Sequence, residues 1–318
     1  MSILTEFPEP LYLGRQPHFQ GVNANFDVDT ARAMAWAAQL AYETNDQAKV
    51  GRILAAWHWT LRGFHAGRVS SFLPLTSAKG FIAARDGVSI LTFAGTEPTA
   101  LADWIVDFSI HQTADGTHEG FEQAVDSVWD KISAILGAGG SSATDNLFIT
   151  GHSLGGALAA VAARRLVKSN VVGLDRVLGV YTFGMPRSGN RLFAQDYRAI
   201  GGGALANRTF RFVDGDDIVP QVPPPEAPFA YRHVGCSLTC GHGALFDPGN
   251  LVADAPEPVA AGASAVLGLA PGLFRAPPLQ GHLPAFPGDP LAAIVIDNLP
   301  PSIRDHLMDR YLRALAAL

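Results

Sequence analysis

The sequence predicts an α/β layer fold with a mostly parallel central sheet and helices on both faces, and three observations carry that prediction. Short apolar runs of strand type alternate with segments of helical periodicity along the chain. One such run, Asn146-Leu147-Phe148-Ile149-Thr150, leads through Gly151-His152-Ser153-Leu154-Gly155 straight into a helix of small residues. The bulk composition, 318 residues with 48% hydrophobic and 16% charged, suits one large core.

The elements follow in order. Asp29 or Thr30 is placed to cap a helix from Ala31 to about Tyr42, and a second short helix covers Asp46 to Ala56. Phe81-Ile82-Ala83-Ala84 and Val88 to Phe93 read as strands, with Asp86-Gly87 between them a hairpin signal. That hairpin predicts an antiparallel part on one side of the sheet. Phe121, Val125, Val128, Ile132 and Ile135 recur at helical spacing, so one helix is expected over Glu119–Leu136, ended by Gly137. Leu154 to Val167 reads as a helix, Val177 to Phe183 as a buried strand, Ser188 to Ile200 as helical and Thr209 to Val213 as a strand.

From Gly241 to Pro300 the composition shifts to Ala, Gly, Pro and Leu and periodicity is lost. The expectation is a single domain over 1–318 with a loop-rich insertion at about 241–300, then a helix from Ile303 to Leu318. The first twenty residues lack both a basic start and an apolar core, which argues against a secretory leader and for a cytoplasmic chain or leaderless export. The uncharged stretch between Glu257 and Arg275 falls short of the ~20 residues that span a bilayer. A net charge of -6, with 23 scattered Lys and Arg, argues against nucleic acid as a partner. Cys236 and Cys240 are too few soft ligands for zinc, and a bridge between them would stabilise little.

The chemistry centres on Ser153. A serine on a sharp strand-to-helix turn projects its hydroxyl from the sheet edge, and small neighbours let strand and helix approach closely. The backbone N–H of Leu154, at the helix N-terminus, can then stabilise a developing oxyanion. His152 is not expected to be the base, because adjacent side chains on such a turn diverge; it is read as packing or bonding locally. A nucleophilic serine needs a base and the base needs an orienting carboxylate. The acid candidates after the Thr209 to Val213 strand are Asp214, Asp216 and Asp217, Asp217 being best placed. The base candidates beyond are His233, His242, His282 and His306.

The segment Ile149-Thr150-Gly151-His152-Ser153-Leu154-Gly155-Gly156-Ala157-Leu158-Ala159 resembles the class 3 lipase family, whose fungal members are triacylglycerol lipases of the α/β-hydrolase fold. The likeness runs from about Asp27 to Val234 and resumes at the C-terminal helix. It implies Asp217, in Asp217-Ile218-Val219-Pro220, as the triad acid and His306, in Asp305-His306-Leu307-Met308, as the base. It implies Thr96, after Gly95, as an oxyanion donor beside Leu154. Ala94 departs from the family, where an arginine is usual. Asp103-Trp104-Ile105-Val106-Asp107 and His118-Glu119-Gly120-Phe121 also resemble family motifs of the scaffold, with Trp104 a candidate substrate contact. The family's lid stretch is short here, Glu97 to Asp103, so either the site is open or the Gly241 to Pro300 insertion covers the acyl site and touches a lipid–water interface.

The resulting expectation is a lipid ester hydrolase working through an acyl-enzyme, without metal or organic cofactor, on a lipid or small ester. A carboxylesterase, phospholipase A1 or feruloyl-type esterase stays open, as does a non-catalytic membrane-surface module.

Overall fold

Asp86 and Gly87 both hold positive φ, 51° and 75°, as a two-residue hairpin loop requires. They join β2 (Ala78–Arg85) to β3 (Val88–Phe93), and β1 (Thr60–Gly67) pairs antiparallel on the outer side of β2. The computed structural model describes residues 6–15, 17, 23–68, 78–96, 111–227, 230–253 and 301–316. Beyond β3 every pairing in the main sheet is parallel: β3 to β4 (Asn146–His152), β4 to β5 (Val177–Phe183), β5 to β7 (Thr209–Asp214) and β7 to β9 (Cys236–Cys240). A separate antiparallel pair joins β6 (Gly189–Asn190) to β8 (Tyr231–Arg232).

The sheet is covered on both faces, which is why its central strands are buried almost end to end and rich in apolar residues. On one face lie α2 (Val28–Leu40) and, near the end of the chain, the segment carrying Tyr311 and Leu312; Met34 and Trp36 share a core there with Phe148, Phe183 and Phe212. On the other, α4 (Glu119–Asp126), α5 (Trp129–Leu136), α6 (Leu154–Lys168) and α7 (Arg191–Ala199) bury Phe121, Ile132, Leu158 and Phe193 against Phe93, Ile149 and Val180. A single turn, α8 (Ala204–Asn207), leads into β7 and buries Leu205 in the same core. Two short helices precede these: α1 (Glu9–Leu13), whose Tyr12 hydroxyl donates to buried Glu43, and α3 (Gln47–Ala56), capped by Asp46.

Several boundaries differ from expectation. The cap of α2 is Asp27, whose carboxylate accepts from the Thr30 N–H and hydroxyl, so neither Asp29 nor Thr30 caps it. The helix expected over Glu119–Leu136 breaks at Ser127-Val128. The Ser127 hydroxyl donates back to the Ala124 carbonyl, and β1 presses on the same spot: a Cβ on Gly67 would lie 2.3 Å from the Ser127 oxygen. The final helix also divides, into α9 (Pro301–Arg304) and α10 (Met308–Ala314), with Asp305-His306-Leu307 between. Asp305 is buried there, accepting from the Asp216 N–H at 2.9 Å and paired with His242, and these tertiary bonds replace a helical path. The first part of the insertion is docked: β9 bridges to Val252, and buried Phe246 donates its N–H to Ala314 and stacks on Tyr311. Residues 254–300 lie outside the described residues.

Candidate active site

β4 ends at His152 and α6 begins at Leu154, so Ser153 alone makes the turn. Its φ of 59° and ψ of -131° put a non-glycine residue in a sparsely populated region, at a cost of ~1–3 kcal/mol. The surroundings hold it there. The Ser153 N–H donates to the Phe183 carbonyl at 2.8 Å, and the Gly156 N–H donates to the Ser153 carbonyl at 2.9 Å. Strand and helix lie so close that a Cβ on Gly155 would meet the Phe93 oxygen at 2.2 Å.

Asp217 follows β7 and is buried. Its Oδ1 accepts from the Val219 N–H at 2.9 Å, and its Oδ2 accepts from the Tyr311 hydroxyl at 2.6 Å. His306 brings Nδ1 within 2.9 Å of both oxygens. A carboxylate only accepts, so Nδ1 carries the hydrogen and Nε2 of the neutral ring presents its lone pair. That Nε2 is buried without a hydrogen-bond partner among the described residues, and so is the Ser153 Oγ. Both sit at the C-terminal end of β5. Ser153 bonds to Phe183, while a Cβ on the next residue, Gly184, would lie 2.7 Å from Asp217 Oδ2 and 2.9 Å from His306 Nδ1. The structure therefore brings Ser153, His306 and Asp217 to one sheet edge.

The other candidates are engaged elsewhere. Asp214 accepts from the Cys240 thiol at 3.1 Å, and burial pushes its carboxyl up to about 6. Asp216 is exposed, its N–H tied to Asp305. His233 reaches the Pro220 carbonyl at 2.9 Å, where burial and nearby Arg211 and Arg187 keep it neutral. His242 pairs with Asp305 and receives a bond from Arg304; His282 lies outside the described residues.

Leu154 opens α6, and the N–H of a first helical residue has no acceptor within its helix. Gly95 packs on Ser153, since a Cβ there would lie 3.0 Å from Ser153 Cβ and 2.6 Å from the His152 oxygen. Thr96 follows it, half-buried. Trp104 and the Glu97 to Asp103 stretch lie outside the described residues. Among the described residues no cluster of three His, Cys, Asp or Glu side chains could hold a metal ion, and no helix is long and apolar enough to cross a membrane.

Two contributors escaped sequence reasoning. Tyr311 holds Asp217, and nothing in a lone tyrosine on a terminal helix announces a carboxylate partner 94 positions away. His152 does not bond locally as expected: its partners are the Tyr42 hydroxyl and the His306 carbonyl, each at 2.7 Å. Only the third dimension brings those groups together.

A mostly parallel sheet, helices on both faces and a strained serine at the strand–helix turn define an α/β hydrolase fold. Residues 90–227 match the model of the family described as lipase (class 3). A secreted mono- and diacylglycerol lipase of Fusarium solani is 37% identical over 142 residues, 41% of this chain and 38% of the relative. A triacylglycerol lipase of Ricinus communis is 28% identical over 258 residues, 64% of this chain and 48% of its own. The chain thus spans about half or less of these curated relatives. Among solved structures, the lipase from Rhizopus microsporus var. chinensis superposes with a TM-score of 0.54 at 22% identity, over 84% of this chain and 91% of that one. At that identity the likeness is one of fold.

The cytoplasmic expectation is corrected by such relatives, since those of Fusarium solani and Malassezia restricta are named as secreted; the leaderless alternative is untouched by those names.

Proposed function

We propose that this protein hydrolyses carboxylic esters of lipids through an acyl-enzyme formed on Ser153. His306 takes the serine proton at Nε2 as the hydroxyl attacks the ester carbonyl, and later returns it to the departing alcohol. Asp217 holds the imidazole through Nδ1 and offsets the charge it gains. The N–H groups of Leu154 and Thr96 receive the oxyanion of the tetrahedral intermediate, and water then frees the acid. The chain acts as one domain over 1–318, with a lipid or small ester as substrate and no nucleic acid partner.

The observation that carries this reading is the His306–Asp217 pair at 2.9 Å, with Nε2 unpartnered at the edge where strained Ser153 sits. The test is a chain-length series of p-nitrophenyl esters, with and without an emulsion interface. Ser153→Ala should lose ~10⁶ in turnover, because triad members act as a unit. Turnover by Ser153→Ala equal to the parent's would sink the reading. Preference for long chains at an interface supports a lipase, and cleavage of short soluble esters alone supports a carboxylesterase.

A further inference from the structure

One buried side chain beside the nucleophile takes no part in the hydrolysis steps above, the imidazole of His152. It is 5% exposed and makes two bonds, Nε2 to the His306 carbonyl oxygen and Nδ1 to the Tyr42 hydroxyl, both 2.7 Å. A carbonyl oxygen only accepts, so Nε2 carries the hydrogen. Nδ1 of the neutral ring then accepts, and Tyr42 donates. Burial and the neighbouring His306 hold the ring's pKa well below its ordinary value, which keeps it in the neutral form that this pattern needs.

His306 needs such a hold. It sits in the break between α9 and α10, and its own N–H reaches the Ile303 carbonyl at a long 3.2 Å. Asp217 fixes one ring nitrogen, which orients the imidazole without fixing the main chain that carries it. The His152 ring lies against the His306 ring, centroids 4.6 Å apart and planes 30° apart, while its Nε2 takes the base's carbonyl. The residue that does this is the one bonded to Ser153 in the chain. Tyr42, at the far end of the bridge, lies against Gly95 on the oxyanion side: a Cβ on Gly95 would be 2.2 Å from its hydroxyl.

We propose that His152 is a positioning residue, a side-chain bridge from the nucleophile's neighbour to the backbone of His306 that sets the distance between nucleophile and base, with Tyr42 orienting the ring. The proposal rests on the hydrolase reading above. It differs from a packing role because the function lies in one donor atom, Nε2, and a side chain that places a donor there substitutes for it. Glutamine does so, its amide nitrogen lying as many bonds from Cβ as the imidazole Nε2.

The experiment measures kcat and KM on a short p-nitrophenyl ester, with thermal melts, for the parent, His152→Leu, His152→Gln and Tyr42→Phe. Labelling of Ser153 by an alkyl phosphonate is followed in parallel. Misplacing a reacting group by about 1 Å costs on the order of 100-fold, so His152→Leu should lose about that factor in kcat with KM unchanged. His152→Gln should recover at least tenfold of the loss, and Tyr42→Phe should fall about tenfold, since its loss frees the ring to turn. Parental kcat in a folded His152→Leu, or equal loss in the Leu and Gln variants, overturns the proposal. If His152→Leu does not fold, Tyr42→Phe decides: lowered kcat at unchanged KM supports the bridge, and parental kcat overturns it. A parent that neither reacts with the phosphonate nor cleaves the ester fails at the hydrolase reading, and the bridge falls with it.

Discussion

Tyr311 is the clearest case of a single atom supporting the site. Its hydroxyl donates to Asp217 Oδ2 at 2.6 Å and accepts from the Asp214 N–H at 3.2 Å, tying the loop after β7 to α10. Burial and the Asp217 charge push the phenol far above its ordinary range, so it remains a donor at every working pH. A hydrogen bond to a charged group contributes about 1.5–3 kcal/mol, so Tyr311→Phe should lose roughly that much stability in denaturant melts. Its kcat should fall as well, because Asp217 would be freer to turn away from Nδ1. Unchanged melts and rates would refute this. At this scale the turn at Ser153 was legible in the sequence because its geometry is local: glycines, strand and helix are all adjacent. Tyr311, Asp305 and Tyr42 were not, because each acts through a partner distant in the chain.

At the scale of elements, the turn at Ser153 depends on a close passage of β3, β4 and α6. A Cβ on Gly155 would lie 2.2 Å from the Phe93 oxygen and 2.8 Å from the Ala94 carbonyl carbon, both main-chain atoms that cannot swing aside. Gly155→Ala should therefore cost about 1–3 kcal/mol by overpacking, read as a lower melting midpoint, and push β3 away from the turn. Lost turnover exceeding the lost stability would place the damage on the oxyanion side, where β3 leads into Gly95 and Thr96. Strand and helix types were mostly readable from periodicity. β1 was missed because Thr60-Leu61-Arg62-Gly63-Phe64-His65-Ala66-Gly67 carries two glycines, a bulge near Gly63 and an exposed side. The breaks at Ser127-Val128 and Asp305-His306-Leu307 were missed because helical spacing continues across them, while strand contact at the first and the hydrogen bonds of buried Asp305 at the second decide the path.

For the whole molecule, buried titratable groups set the dependence of stability on pH. Burial raises Asp309 from 3.8 to about 6, against the partial relief of Arg310 and Arg313, and raises Asp214 similarly. A carboxyl raised in the fold contributes stability that is fully present below its unfolded value and is lost as pH rises through its folded value. Asp309→Asn should therefore match the parent near pH 4 and exceed it near pH 8 by on the order of 1–2 kcal/mol. A gap between the two melting curves that does not widen with pH would refute this. His65 runs the other way: burial lowers it from 6.5 to about 4, so its contribution is present above 6.5 and lost as pH falls through about 4.

By itself the sequence determined the class of fold and pointed to Ser153 at a strand-to-helix turn, with Asp217 and His306 named through the family resemblance. The fold class and the turn rest on periodicity and on residues adjacent in the chain, where local sterics decide the outcome. Only the tertiary structure decided that the His306 ring meets Asp217 at 2.9 Å, that Tyr311 bonds Asp217 and His152 bonds the His306 carbonyl, and that the last helix breaks at Asp305-His306-Leu307. The physical reason is that a buried hydrogen bond is specified by where two distant segments pack, and packing is a property of the assembled core.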